Sequence, residues 1–236
     1  MKESLSYAKV RLHRVPYYIG SLFLLFSSLT FKSRLNLIVN LINPFRKTRL
    51  ISFKKYHLSF WYRTILDLLV LKEVILDGEY TLPEVVLTRR DTVVVDIGAG
   101  FGDYAILMAR RFPWVKVYAF EPDPMYFSLL QKNIRQNLVG SVYPFKQAVS
   151  SIPEIFKKAK ISRIDVLKMD CEGCEFNIIK KGSSRMIKRV GKIVMEYHER
   201  GEHTKEKLSA TLGRYFHHVI ITSQKDVPHI GHIFAY

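Results

Sequence analysis

Between Thr92 and Pro122 the chain runs through a β-branched stretch, a glycine-rich turn, a stretch of helical spacing, a second apolar stretch and an acid. Few folds accept that order. Val93 to Val95 suit a buried parallel strand, Tyr104 to Phe112 carry apolar residues at helical spacing, and Val115 to Phe120 form the next strand. Gly98, Gly100 and Gly102, with Ala99 and Phe101 between them, occupy the turn, where a side chain would hold the backbone away from a bound nucleotide. Glu121 falls at the end of the second strand, followed by Pro122. An acid there, roughly 20 residues beyond the turn, can accept hydrogen bonds from both hydroxyls of an adenosine ribose.

The form of the turn narrows the ligand. Dinucleotide folds use G-x-G-x-x-G and seat a pyrophosphate on the helix N-terminus. This chain has G-x-G-x-G led by Asp96, which would repel a pyrophosphate but suits a ligand with a positively charged amino-acid end, through direct or water-mediated hydrogen bonds. S-adenosylmethionine is such a ligand. Asp96, the turn over 98–102 and Glu121 are the residues expected to meet it. The bland alternative is a strand-to-helix turn that binds nothing, and the acid on the next strand weighs against it.

Beyond Glu121 the pattern predicts helix over 125–137, strand over 141–149, helix over 153–159 and strand over 164–169. A helix over 175–187, a strand over 192–197, a helix near 205–215 and strands over 219–222 and 230–235 follow. Alternating strands and helices, ending in two strands without a helix between them, imply an α/β fold. We expect a doubly wound, Rossmann-like sheet of seven strands with the last antiparallel. Ahead of it, residues 43–47 read as a linker, 56–76 as helix and 77–80 as a turn. The expected domains are a basic, partly amphipathic helical extension over 1–64 and the sheet domain over 65–236.

A second constellation lies at the end of the 164–169 strand. Asp170, Glu172 and Glu175 stand there with Gly173, and ligands in such sheets bind outside the carboxyl ends of strands. Acids in that place can orient an acceptor hydroxyl, take its proton or hold a cation, while Glu172 and Glu175 can equally cap the following helix. Asp-x-Gly-Ala-x-x-Gly from Asp96, Phe-Glu-Pro at Glu121, Lys-x-Asp-x-Glu-Gly-x-Glu from Lys168, and Glu196-Tyr-His198 at the end of an apolar strand together resemble the FkbM family of methyltransferases. The likeness runs from about Asp67 to the C-terminus. It implies S-adenosylmethionine as methyl donor, bound by Asp96, Gly98, Ala99, Gly100, Phe101, Gly102, Glu121, Pro122 and Ala148, the last near the end of the 141–149 strand, and an oxygen acceptor on a sugar or natural product, with Asp170, Glu172 and His198 on the acceptor side. The chain departs from the family in holding only a short helix over 150–162, which implies a more open acceptor pocket, and in Cys171 and Cys174, where small apolar residues are usual.

Among these residues His198 is the expected catalytic base, since its pKa lies near the working pH, with Asp170 as orienter or alternative base. No metal is expected. A single C-x-x-C without a second pair reads as two small buried thiols, and His217, His218, His229 and His232 as surface or edge histidines. Two cysteines imply no disulfide framework, so a reducing cytoplasm is the default compartment.

Charge sets the remaining expectations. Residues 1–64 hold 12 Lys or Arg against the single acid Glu3, a net of +11 out of the chain's +16. The uncharged run over 15–31 follows Lys9, Arg11 and Arg14, but it is short for a spanning helix and has no A-x-A-like cleavage site. The expected partner is a small-molecule or glycan acceptor, and residues 1–45 make an anionic membrane surface a further candidate. RNA methylation through the basic extension is a second reading, against which the chain shows no patterned base-stacking aromatics. A non-catalytic scaffold with the same fold is a third.

Overall fold

The computed structural model describes residues 15–42, 48–81, 87–224 and 227–236. The linker read at 43–47 and the basic residues Lys9, Arg11 and Arg14 lie outside them. The chain divides into two compact units, 1–78 and 79–236.

The first unit contains helices α1 (Val15–Ser28) and α2 (Phe31–Ile42), then a hairpin of β1 (Arg49–Ser52) and β2 (Ser59–Tyr62), then helix α3 (Ile65–Lys72). The helix expected from Tyr56 is therefore a strand up to Tyr62. Ser59-Phe-Trp-Tyr62 alternates half-buried and buried side chains at the period of two that a strand requires, and Tyr56 and His57 turn the chain through positive φ ahead of it. Helix begins only at Thr64, whose hydroxyl accepts the Asp67 N–H (3.2 Å) while Asp67 accepts the Thr64 N–H (3.0 Å). That reciprocal cap fixes the start of α3, which runs through a π turn over Glu73–Asp77 and ends at left-handed Gly78. The first unit thus includes the helix that the sequence pattern assigned to the sheet domain.

The second unit is built on a seven-stranded sheet, with β3 (Val93–Ile97), β4 (Lys116–Phe120), β5 (Val142–Phe145), β6 (Ile164–Met169), β7 (Val190–His198), β8 (Val219–Gln224) and β9 (Val227–Ala235). Their order is β5-β4-β3-β6-β7-β9-β8, parallel from β5 to β7, with β9 antiparallel to both of its neighbours. The doubly wound α/β fold is as expected, with the last strand inserted between β7 and β8. Helices α4 (Asp103–Arg111), α5 (Pro124–Asn137), α6 (Ile152–Ala159), α7 (Cys174–Lys180), α8 (Ser184–Ile187) and α9 (Lys205–Leu212) connect the strands. The central strand β6 is buried at every position, as a strand covered on both faces must be.

Two elements differ from the sequence pattern. β5 is an edge strand carrying Pro144, and it ends at Phe145, well short of residue 149. The helix expected over 175–187 breaks at Gly182, where a Cβ would stand 2.9 Å from Ile187 Cγ1.

The chain leaves β3 toward β4 and β5, then returns to lay β6 on the other side of β3. That reversal opens a crevice at the carboxyl ends of β3 and β6, the position where open α/β sheets take ligands. The two ends are locked together: the Asp170 N–H donates to the Ile97 carbonyl (3.0 Å), and Gly98, at φ +72°, packs so closely that a Cβ would overlap the Asp170 carbonyl oxygen. Backbone cannot yield there as a side chain could. Gly98→Ala is therefore expected to destabilise the protein by at least about 1–3 kcal/mol, the usual cost of a left-handed non-glycine residue, before the overlap is counted. Urea denaturation monitored by circular dichroism measures it.

Candidate active site

The glycine turn leaves β3 with its backbone already organised. The N–H groups of Gly98 and Ala99 both donate to the Phe120 carbonyl (3.0 Å), and the side chains of Ala99 and Phe101 point into the protein, so these two residues offer a ligand their backbone. Glu121, 7% exposed at the end of β4, accepts the N–H of Gly100 on one oxygen and of Asp123 on the other, both at 2.8 Å. Burial raises its pKa despite those donors. Each oxygen keeps a second lone pair, which fits a vicinal diol. Pro122 is exposed beside it, and Ala148 is exposed in the loop after β5, its carbonyl accepting Lys158 Nζ (3.0 Å).

Asp96 is fully buried and does not face solvent. Its Oδ1 lies 3.2 Å from Nζ of Lys168, itself only 3% exposed on the adjacent strand β6. The same ammonium donates to the Gly98 carbonyl (3.2 Å), lies 3.8 Å from Asp170 Oδ2 and sits 5.0 Å over the Tyr80 ring. Burial pulls the Lys168 pKa down, but Asp96, Asp170 and Asp103 outweigh it and hold the group charged. Burial also raises Asp96 against the pull of Lys168, and pushes Asp103, at the start of α4, up to about 7. The direct or water-mediated ligand contact expected of Asp96 is therefore not open to it in this structure: its carboxylate is covered and meets the crevice only through Lys168 and the turn.

Across the crevice Asp170 accepts the Tyr80 hydroxyl (3.0 Å). His198, at the end of β7 and 7% exposed, points Nε2 toward Glu172 Oε2 (3.7 Å) and Glu196 Oε2 (4.0 Å), and Nδ1 toward Glu175 Oε1 (3.7 Å). Those last distances are ion-pair contacts, beyond hydrogen-bond length. The Glu175 carboxylate, then Glu196 and Glu172, push His198 up to about 8 against the opposing effect of burial. Burial, then Asp170 and Glu79, push Glu196 up to about 8. One ligand-capable atom from each of Asp170, Glu196 and His198 lies within 4.8 Å of the others, close enough to share a proton or to hold a divalent cation.

The sequence motifs thus converge: Asp170 and His198 meet beside the glycine turn, whereas Glu172 is 77% exposed at the rim. Glu175, fully buried, is the group against which His198 rests, and its Oε1 accepts the Cys171 N–H (2.8 Å). Glu196 joins this cluster without a role expected from the sequence; the signal that could find it is the period of two along β7, which puts 196 and 198 on one face. Lys168 likewise stands in the sequence motif, and its burial beside Asp96 gives it a structural role.

Two sequence expectations are corrected here. Cys171 and Cys174 are joined as a disulfide and half-buried, not two buried thiols. The loop turns through positive φ at Glu172 and Gly173, which brings the two Cα atoms to 5.4 Å, within bridging range. The cysteine argument for a reducing compartment lapses with it. His232 is not at an edge: β9 lies inside the sheet, where His232 is buried opposite Glu196, with Nε2 3.3 Å from Glu79 Oε1.

Comparison with known proteins places this geometry. The family model described as the methyltransferase FkbM domain matches residues 141–225, in agreement with the resemblance read from the motifs. "Methyltransferase 1" of Beauveria bassiana is 34% identical over 30% of this chain and 27% of its own length, so the chain spans about a quarter of that relative. "Hexuronic acid methyltransferase AglP" of Haloferax volcanii is 22% identical, covering 47% of this chain and 57% of its own. Among solved structures, M. jannaschii TYW2 in complex with AdoMet aligns with a TM-score of 0.51 at 18% identity, covering 80% of this chain and 84% of that one. The sheet is the Rossmann-like fold of the methyltransferases.

Lys168 holds the two halves of the site together, which gives a direct test. Lys168→Met strands the buried Asp96 charge and is expected to cost about 3–5 kcal/mol in urea denaturation. Adding Asp96→Asn should recover a substantial part of that loss, because the uncompensated charge disappears.

Proposed function

We propose that the chain is an S-adenosylmethionine-dependent methyltransferase acting on a hydroxyl oxygen of a sugar, glycolipid or other small acceptor. The observation that carries the reading is the direct junction of the glycine turn with the Asp170–Glu196–His198 cluster at the sheet's reversal point. The residues present suit the donor: Glu121 retains lone pairs for the ribose hydroxyls, the backbone of 98–102 borders the crevice, and the surrounding carboxylates favour a cationic ligand. When bound, S-adenosylmethionine supplies the electrophilic methyl carbon.

The chain's own work is alignment and proton removal. Neutral His198 would take the acceptor's hydroxyl proton on Nε2, freeing the acceptor oxygen to receive the methyl group that bound S-adenosylmethionine would supply, with S-adenosylhomocysteine as the leaving group. Glu175 faces Nδ1 and so favours the tautomer with its proton there, leaving the Nε2 lone pair toward the crevice. Asp170, fixed by the Tyr80 hydroxyl, orients the acceptor. Glu172, exposed at the rim, meets the acceptor as it enters. The sugar class is supported by the FkbM resemblance and by the hexuronic acid named for the Haloferax relative. With His198 as base the proposed step uses no metal, so turnover is expected to persist in a chelator; its loss, restored by added cation, would assign the cluster to cation binding instead.

The test is methyl transfer from labelled donor to fractionated glycan, lipid and RNA extracts. Label is expected in a glycan or glycolipid fraction, and label in RNA alone would contradict the acceptor class. His198→Ala should lower turnover by about 10²–10⁴-fold while donor binding is retained; unchanged turnover would remove the base role. Because a base must be neutral, turnover should fall as pH drops below about 8. Glu175→Gln removes the anion that most favours protonated His198, so this limb should move to lower pH by about one unit.

A further inference from the structure

In a helix of a water-soluble protein the apolar face turns inward and the polar face outward. The helical pair α1–α2 buries Leu25, Leu37 and, between the two helices, Leu29 in this way but leaves a second apolar face exposed. Ser21 and Ser33 are buried at 3% and 4% exposure, whereas Phe23 and Phe31 are 75% and 74% exposed. Leu22 and Leu24 flank Phe23 on the outer side of α1. Phe31, Leu35 and Ile38 fall at i, i+4 and i+7, forming one exposed stripe along α2. The buried Ser33 is used: its hydroxyl accepts the Ser52 N–H of the hairpin (2.8 Å), which fixes the inner face of α2 and leaves the stripe outside.

The concentration of such residues is as telling as their placement. Of the fourteen exposed large apolar side chains among the described residues, nine belong to residues 22–70. Single exposed apolar residues are ordinary; a contiguous stripe marks an interaction surface.

Charge identifies the partner. Residues 4–66 contain no Asp or Glu but eleven Lys or Arg. Lys32 and Lys54 are exposed at the turn between the two helices, where Lys54 Nζ donates to the Ser27 carbonyl (3.3 Å). Arg34 donates to the carbonyls of Phe26 (2.9 Å) and Ser27 (2.6 Å), so cations gather at the C-terminus of α1 beside Phe31. Exposed phenylalanines bordered by Lys and Arg, without any acid, match the boundary between lipid headgroups and acyl chains. Among the described residues no helix is long and apolar enough to cross a membrane, so the pair would lie in the interface.

We infer that α1 and α2 form an interfacial docking surface for an anionic phospholipid bilayer, with Phe23, Phe31, Leu35 and Ile38 entering the acyl boundary and Lys32, Arg34 and Lys54 meeting the headgroups. This surface stands independently of the methyl-transfer reading, since binding is measured without turnover.

The experiment is co-sedimentation of the full chain with vesicles of phosphatidylcholine, with or without phosphatidylglycerol. Binding is expected to the phosphatidylglycerol vesicles, weakened by added salt and reduced more than about tenfold in the triple variant Phe23→Ser, Phe31→Ser, Ile38→Ser. Circular dichroism of the variant checks that the fold persists, and Lys32→Glu offers a second variant that leaves the apolar stripe intact and should also weaken binding. Absence of vesicle binding by the wild-type chain would overturn the inference. So would binding unchanged by the triple variant, or a wild-type dimer in light scattering that the triple variant dissolves, which would assign the stripe to a second copy of the chain.

Discussion

A single buried ammonium organises the centre of the second unit. Lys168 lies on the middle strand of the sheet with its charge withdrawn from water, and such a group is tolerated only when opposite charge and hydrogen-bond acceptors surround it. Asp96 supplies the counter-charge from the neighbouring strand, the Gly98 carbonyl supplies an acceptor from the glycine turn, and Asp170 approaches from the other side. The group that neutralises the strand bearing the turn is therefore the group that places the leading acid of the second motif. Because these contacts lie at the reversal of strand order, they set the relation between the two sides of the crevice.

The same economy of burial shapes the second side. Carboxyls crowded together out of water resist ionisation, and an imidazole facing them resists losing its proton. Glu196 and His198 are consequently both held near the pH range in which proton transfer is efficient, one by burial and neighbouring acids, the other by the buried Glu175 carboxylate. Glu175 is held in turn by the Cys171 N–H, inside the loop that the Cys171–Cys174 bridge closes. The proton chemistry of His198 thus depends on a loop whose shape is set covalently.

Legibility in the sequence followed local signal strength. β3, α4, β4 and β6 were readable almost to the residue, because β-branched runs, helical spacing and glycines act over a few positions. The stretch over 56–63 was misread because its apolar residues serve either a helix or a strand, and the hairpin that decides between them pairs it with residues 49–52, which carry no distinct periodic signal. His232 was misplaced for a topological reason: nothing local tells that β9 enters the sheet between β7 and β8. The motif spacing gave the proximity of Asp170 and His198 to the turn, but the burial of Asp96 by Lys168 and the support of His198 by Glu175 arise from contacts between strands and loops. The exposed apolar face of α1 and α2 is similarly hidden in the sequence, since a helix apolar on several sides does not tell which of them it buries.

On the reading proposed here, the turn and Glu121 form a site for S-adenosylmethionine independent of the proton-handling groups across the crevice. Calorimetric titration with S-adenosylmethionine tests it without knowledge of the acceptor. One molecule is expected to bind per chain with a dissociation constant in roughly the micromolar range, weakened more than about tenfold by Glu121→Ala through loss of charge-assisted hydrogen bonds to the ribose and retained in a Glu196→Gln variant. Absence of binding to the wild-type chain, or binding indifferent to Glu121, would contradict it.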